Sequence, residues 1–309
     1  MRQIKNIAIL FILLLMSACI KSYEPVIDSS DSNKYVVSGR VTDQEGWQEV
    51  EVSLSSPMDS ALYKPVSGCI GVIRSDNGKS FPLREYIDGH YRTWMSQTDL
   101  VPGTSYRVEI QTPDGQQIES GYEMMPPGAP LGSVYYAVKE IPTPTPGLTN
   151  TVMQFYVDLD ANGNYSQYYK WEIEETWEYH AAHPLEYYYD GTFHEVKPPD
   201  YTNKICWITV PAKNVFTLST KNVAQGIYKQ YPLHYIDGRT SSRLGIMYSI
   251  LVKQFAMSEG SYNYWEQLRI NSNEQGGLYE KQPNAIKGNV HNLTKPENDV
   301  LGCFFAATV

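Results

Sequence analysis

The chain has 309 residues, 42% of them hydrophobic and 19% charged, with a formal net charge of −9. That length suits one large or two ordinary domains, and the composition excludes wholesale disorder and a collagen-like repeat. The acidic balance speaks against nucleic acid as a partner, because phosphate binding needs a basic face. Tyrosine is the outlier, at 25 residues against 8 phenylalanines.

The chain opens with Arg2 and Lys5, then an almost unbroken apolar run over 7–15 that ends in Met16-Ser17-Ala18-Cys19. A basic start, a short apolar stretch and small residues before a cysteine form the pattern of a lipoprotein signal peptide. Residues 1–18 are read as that leader and Cys19 as the lipidation site, so the membrane is an expected partner through the lipid anchor. Cleavage would leave 291 of the 309 residues and carry the net charge from −9 to −11. Two or three acyl chains hold firmly, at ~0.8 kcal/mol per buried methylene. No later stretch reaches the ~18 apolar residues of a spanning helix. Cys69, Cys206 and Cys303 then remain, an odd number that permits at most one internal bridge. Their spacing is not that of a metal site, and no metal or cofactor is expected.

Residues 19–33 are polar and acidic without periodicity and read as a tether. From Tyr35 onward short alternating strands are separated by turn signals at Asp43-Gln44-Glu45-Gly46, Asp76-Asn77-Gly78, Asp88-Gly89 and Thr112-Pro113-Asp114-Gly115. This spacing predicts an immunoglobulin-like β-sandwich over 34–126. Three prolines in Met125-Pro126-Pro127-Gly128-Ala129-Pro130 mark a boundary. A larger β-rich domain is expected over 127–309, making the fold class all-β with about one short helix. Pro142, Pro144 and Pro146 form a loop inside it. Its longest predicted strand is Tyr168–His180, with Tyr169, Trp171, Ile173, Trp177 and Tyr179 on one parity and Glu172, Glu174 and Glu178 on the other. Further strands are expected at 205–210, 244–255 and 300–309, and a helix capped by Ser258 carries Tyr262, Trp265 and Arg269 on one face.

Three constellations carry chemical potential. The carboxylates Glu172, Glu174 and Glu178 have the strand spacing of a glycosidase pair, which needs ~5–9.5 Å between carboxyls; acidic residues on a wet strand face, which need no function, are the plainer reading. His180 and His183, with Glu178, Glu186 and His194 close in sequence, form the one histidine cluster, at a strand end where ring convergence is not assured. The segment 186–195 reads as a hairpin turning on Asp190-Gly191. A two-residue turn would place Tyr188 opposite Phe193 and Tyr187 opposite His194, with Tyr187, Tyr189 and His194 on one face and Tyr188 and Phe193 on the other. These five are the candidate ligand-binding residues, because tyrosine combines contact area, a hydroxyl and low entropy loss. Rings packed into the core are the plainer alternative. No catalytic motif occurs: there is no G-x-S-x-G, phosphate loop, H-E-x-x-H or GxGxxG.

The C-terminal third carries a recognisable order of motifs: Ser249-Ile250-Leu251-Val252-Lys253-Gln254, Tyr262-Asn263-Tyr264-Trp265, Ile286-Lys287-Gly288-Asn289-Val290 and Val300-Leu301-Gly302-Cys303-Phe304. With Val36-Val37-Ser38-Gly39, Gly103-Thr104-Ser105-Tyr106, Asp114-Gly115 and Cys206-Trp207, these resemble the Bacteroidota lipoprotein family known as domain of unknown function 4249. Cys303 stands where that pattern usually has an aromatic, so it is expected to be a buried substitution. Related chains run on past the final strand, so a shortened end at Val309 is expected. The resemblance implies a lipid-anchored outer-membrane protein, facing the periplasm or the cell surface, commonly encoded beside a TonB-dependent transporter. It implies no chemistry and no catalytic residue.

The reading that follows is a non-enzymatic binding or accessory subunit working with a TonB-dependent transporter, on a glycan or peptide ligand. A surface glycoside hydrolase using the acidic strand and a structural adhesin or envelope component are the alternatives.

Overall fold

The computed structural model describes residues 33–56, 62–143, 145–202, 204–273 and 286–309. The leader, Cys19 and all of the tether but Asn33 lie outside the described residues. Residues 34–309 form one compact unit.

The first module contains β1 (Tyr35–Thr42), β2 (Gly46–Leu54), β3 (Lys64–Pro65), β4 (Ile70–Ser75), β5 (Ser80–Pro82), β6 (Arg84–Ile87), β7 (His90–Met95), β8 (Ser105–Gln111), β9 (Gln117–Ser120) and β10 (Glu123–Met124). The second contains β11 (Val134–Pro142), β12 (Thr149–Asp160), β13 (Tyr168–His180), β14 (Leu185–Tyr189), β15 (Phe193–Asp200), β16 (Ile205–Pro211), β17 (Phe216–Ser219), β18 (Ile227–Asp237), β19 (Tyr248–Ala256) and the helix α1 (Glu259–Asn273). Two last strands follow, β20 (Val290–Asn292) and β21 (Phe304–Ala307).

The architecture is all-β with one α-helix among the described residues. Two sheets face each other in the first module, ordered β21-β1-β2-β7-β6 with β3 on β2, and β20-β9-β8-β4-β5 with β10 on β8. Alternation makes this sandwich: Val37, Val41, Val50, Val52, Ile73, Tyr106, Val108 and Ile110 point inward from their strands and are fully or almost fully buried. Gly89 supplies the tight turn into β7 at φ +74, where a side chain would strike Val52 O.

The stretch 286–309, which the sequence reading assigns to the second module, supplies an edge strand to each sheet of the first. β20 pairs antiparallel with β9, and β21 runs parallel to β1 with Gly39 opposite Phe304. The reason lies in four consecutive apolar residues. Phe304 and Ala306 enter the first core, while Phe305 and Ala307 join Phe255 and Met257 beneath α1. A strand buried on both faces reads as a continuous apolar run rather than an alternation. Cys303 sits buried in the same seam, where its thiol is pushed up to about 12 by burial. It is unbridged, as is Cys69.

The second module stacks the sheet β11-β12-β18 on a sheet in which β13 pairs β16 and β17 along one edge and β19 along the other. Trp171 and Tyr169 from β13 fill its core, each contributing ~1.5–3 kcal/mol of burial. Trp171 Nε1 donates to Gln254 Oε1, and Gln254 Nε2 donates to Ala129 O, so the buried polar groups are paired back to the proline-rich linker. Helix α1 starts as expected: Ser258 Oγ accepts the Ser261 N–H at 3.1 Å. Glu123 of β10 accepts from Ser258, Ser261 and Asn289 and fastens that helix end to the first module.

Candidate functional site

The Tyr168–His180 strand forms over the span expected, but its two faces differ from the expected wet and dry pair. On the acidic parity Lys170 is 4% exposed and lies 3.5 Å from the Trp265 ring centroid, covered by α1. Its Nζ donates to Glu172 Oε1 at 2.7 Å, and Arg40 Nη1 donates to both Glu172 oxygens at 2.8 and 2.9 Å. Burial pushes the Glu172 carboxyl up, and the two cations more than reverse it, leaving it below the ordinary range. Glu172 is thus a structural counter-ion. Glu174 is exposed, opposite Leu251 on one side and Pro211 on the other. Glu178 is joined to His180 Nε2 at 2.7 Å. The three carboxylates therefore have different partners and different surroundings.

The apolar parity also carries a charge, Glu175, whose side chain is 3% exposed. Its Oε1 accepts from Tyr248 Oη at 2.8 Å and meets His234 Nε2 at 3.1 Å, while Arg243 Nη1 bridges Oε1 and Oε2 at 2.9 and 2.8 Å. Burial drives the His234 imidazole below its usual value, opposed in part by Glu175, so the ring is held towards its neutral form. Burial also raises the Tyr248 phenol, keeping it a hydrogen-bond donor. His234 reaches the cluster because β18 is bulged: β12 pairs Tyr156 with Pro232 but Gln154 with Tyr235. The Gln154 amide fills the bulge, donating to Leu233 O at 3.1 Å and His234 O at 3.2 Å. Bulges re-aim side chains next to functional sites. The signal available in the sequence was the parity itself, a carboxylate between Ile173 and Trp177.

The expected aromatic hairpin exists as a sheet of its own, β14 paired with β15, and it extends the ribbon in which His180 of β13 faces Ile205 of β16. Its register is a correction to the sequence reading. Tyr189 pairs with Phe193, Tyr188 with His194 and Tyr187 with Glu195, because the turn holds three residues rather than two. Asp190 explains the longer turn: its Oδ1 accepts the Thr192 N–H at 3.4 Å and meets His194 Nε2 at 2.9 Å, with Gly191 at φ +118. Tyr187, Tyr189 and Phe193 therefore share one face. Tyr188 and His194 share the other, stacked with centroids 4.8 Å apart and planes 15° apart. The rings stand out in solvent rather than in the core: Tyr187 is 57% exposed, Tyr188 49%, Tyr189 66% and Phe193 79%. The histidine cluster is divided, His180 going to Glu178 and His194 to Asp190. Among the described residues no group of three or more His, Cys, Asp or Glu side chains is placed to hold a metal.

Over residues 20–309 the sequence matches the family described as domain of unknown function (DUF4249). The chain belongs to that family. The match spans both modules, the hairpin and the Glu175 cluster. No curated protein matches it. Among solved structures, the crystal structure of trypsin activated alpha-2-macroglobulin from Escherichia coli is 11% identical, with a TM-score of 0.21. That alignment covers 77% of this chain but only 15% of that one, and at such a TM-score it carries no argument about either fold or function. Among the described residues no helix is long and apolar enough to cross a membrane.

Proposed function

We propose that the protein is a lipid-anchored binding subunit of the outer membrane. Cys19 holds it to the bilayer, the tether over 19–33 gives it reach, and the β14–β15 arm meets a co-resident TonB-dependent transporter. The observation that supports this reading is the exposure of Tyr187, Tyr188, Tyr189 and Phe193 together on one two-stranded ribbon. Clustered exposed apolar surface marks interaction sites, and rigid aromatic rings supply contact area at low entropic cost. The arm carries Glu186, Asp190, Glu195 and Asp200 against Lys197 alone, so it suits a partner surface with basic character. Confinement to one membrane raises the effective concentration of the two proteins, so a modest contact suffices.

The test is recovery of the transporter from a detergent-solubilised outer-membrane fraction on tagged full-length protein. Co-purification with the wild type and its loss in the combined Tyr187→Ala, Tyr189→Ala, Phe193→Ala variant, at unchanged thermal midpoint, is the expected result. Absence of the transporter from the wild-type sample, or undiminished recovery by the triple variant, overturns the reading. Cys19→Ser is expected to release the protein from the membrane, and persistent association would overturn the anchor.

A further inference from the structure

Beside the Glu175 cluster, where β18 ends, lies a cavity of about 520 Å³, within the ~300–1,000 Å³ typical of small-molecule sites. Its apolar side is formed by Phe216, Leu233 and Ile236, and Tyr235 stands half-exposed in its wall. Its polar side is only partly satisfied from within. Asn150 Nδ2 donates to Asp237 Oδ2 at 2.6 Å, which fixes the amide, yet Asn150 Oδ1 is buried without a partner. Arg243 spends Nη1 on Glu175, and among the described residues no acceptor engages its Nε or Nη2. Ser241 Oγ accepts the Arg243 N–H at 3.3 Å, which leaves its own proton to donate. The walls therefore offer donors from Arg243 and Ser241, the Asp237 carboxylate as an acceptor, and apolar lining from Phe216, Leu233 and Ile236.

Charge narrows the ligand. Glu175 and Arg243 neutralise each other, and Asp237 adds one negative charge, so an anion is disfavoured. Closely spaced groups that both donate and accept, on a neutral body with an apolar C–H face, describe a sugar ring. We infer that this cavity is a binding site for a neutral pyranose, with Asn150, Asp237, Ser241 and Arg243 reading its hydroxyls and Phe216 and Tyr235 flanking its apolar face. The site is separate from the β14–β15 arm, and neither depends on the other.

The probes are the methyl glycosides of glucose, galactose, mannose and N-acetylglucosamine, each with its linear tetrasaccharide. Glucuronic acid is the charged control. Binding to the whole protein is followed by saturation-transfer NMR and calorimetry. At least one neutral glycoside is expected to bind saturably, and Thr240→Trp at the cavity mouth should weaken it at least tenfold at unchanged thermal midpoint. Asn150→Leu should do the same by removing the amide that fixes the Asp237 carboxylate. A tetrasaccharide that binds as its monosaccharide does points to a chain end as the source, and a tighter tetrasaccharide points to an extended glycan; either supports the site. The alanine triple variant of the arm should bind as the wild type does. No binding by any of the four glycosides, binding untouched by both cavity variants, or tighter binding of glucuronic acid overturns the inference.

Discussion

Arg243 Nη1 donates to both carboxylate oxygens of Glu175, at 2.9 and 2.8 Å, from a loop that follows β18 to the middle of β13. The Glu175 side chain is 3% exposed and the Arg243 side chain 36%, so the partners do not lose equally when the pair is broken. Arg243→Met strands a buried charge and is expected to lower the free energy of unfolding by about 3–5 kcal/mol. Glu175→Gln keeps an acceptor and leaves behind a cation that water reaches, so about 1–3 kcal/mol is expected. Urea denaturation of the two variants decides the order, and a smaller cost for Arg243→Met would show that Glu175 does not need its cation.

His234 gives the protein a pH dependence of definite sign. Burial holds its folded-state value below 6.5, so between the two values the unfolded chain binds more protons than the folded one. The stability associated with neutral His234 is thus complete above pH 6.5 and is lost as the pH falls below it, by up to about 1.4 kcal/mol per pH unit. His234→Asn should flatten the profile of denaturation midpoint against pH between about 6.5 and 5, above the range where ordinary carboxylates titrate. An unchanged slope in that variant would assign the effect elsewhere.

Lys170 and Glu172 make an asymmetric pair of the opposite kind. The lysine is 4% exposed and the carboxylate 34%, with Arg40 as its second cation. Lys170→Met puts an apolar chain among Trp265, Phe255 and Phe305 and leaves Glu172 paired, so stability should stay within about 1 kcal/mol of wild type or rise. Glu172→Gln leaves the ammonium buried without its counter-ion, and roughly 2–4 kcal/mol should be lost, towards the lower end because the site is partly wet. Thermal midpoints of the two variants separate the outcomes, and equal losses would contradict the asymmetry.

What the sequence made legible divides along physical lines. The Tyr168–His180 strand and the Ser258 cap rest on parity and on a side chain bonding three residues ahead, and both are local. The hairpin was legible in kind but not in register, because Asp190 stabilises a three-residue turn through Thr192 and His194. The Glu175 cluster was hidden, since His234 is turned inward by a bulge that the Gln154 amide fills from another strand. The return of β21 was hidden too. Phe304 to Ala307 spells a buried strand, but nothing in those four residues names β1 as its neighbour.

Gly302 holds that return close to β1. It holds φ +97, and a Cβ there would lie 2.1 Å from Val37 O, against backbone that cannot rotate away. Gly302→Ala is expected to cost at least about 3 kcal/mol through combined strain and collision. Its effect should appear in hydrogen exchange as lost protection in β1 as well as β21. Protection lost in β21 alone would mean that the first sheet stands without it.

The placement of β20 and β21 sets the order in which this protein can be finished. As the chain is made, β1 to β10 emerge first with one edge of each sheet waiting for a strand that is still unsynthesised. Pairings between residues so distant in sequence form late and slowly. Through that interval the early module offers open strand edges to any neighbour, a hazard that a holding chaperone would answer. The same geometry makes the module that was built first depend on a distant segment, because β21 covers the edge of β1 and puts Phe304 and Ala306 into the first core.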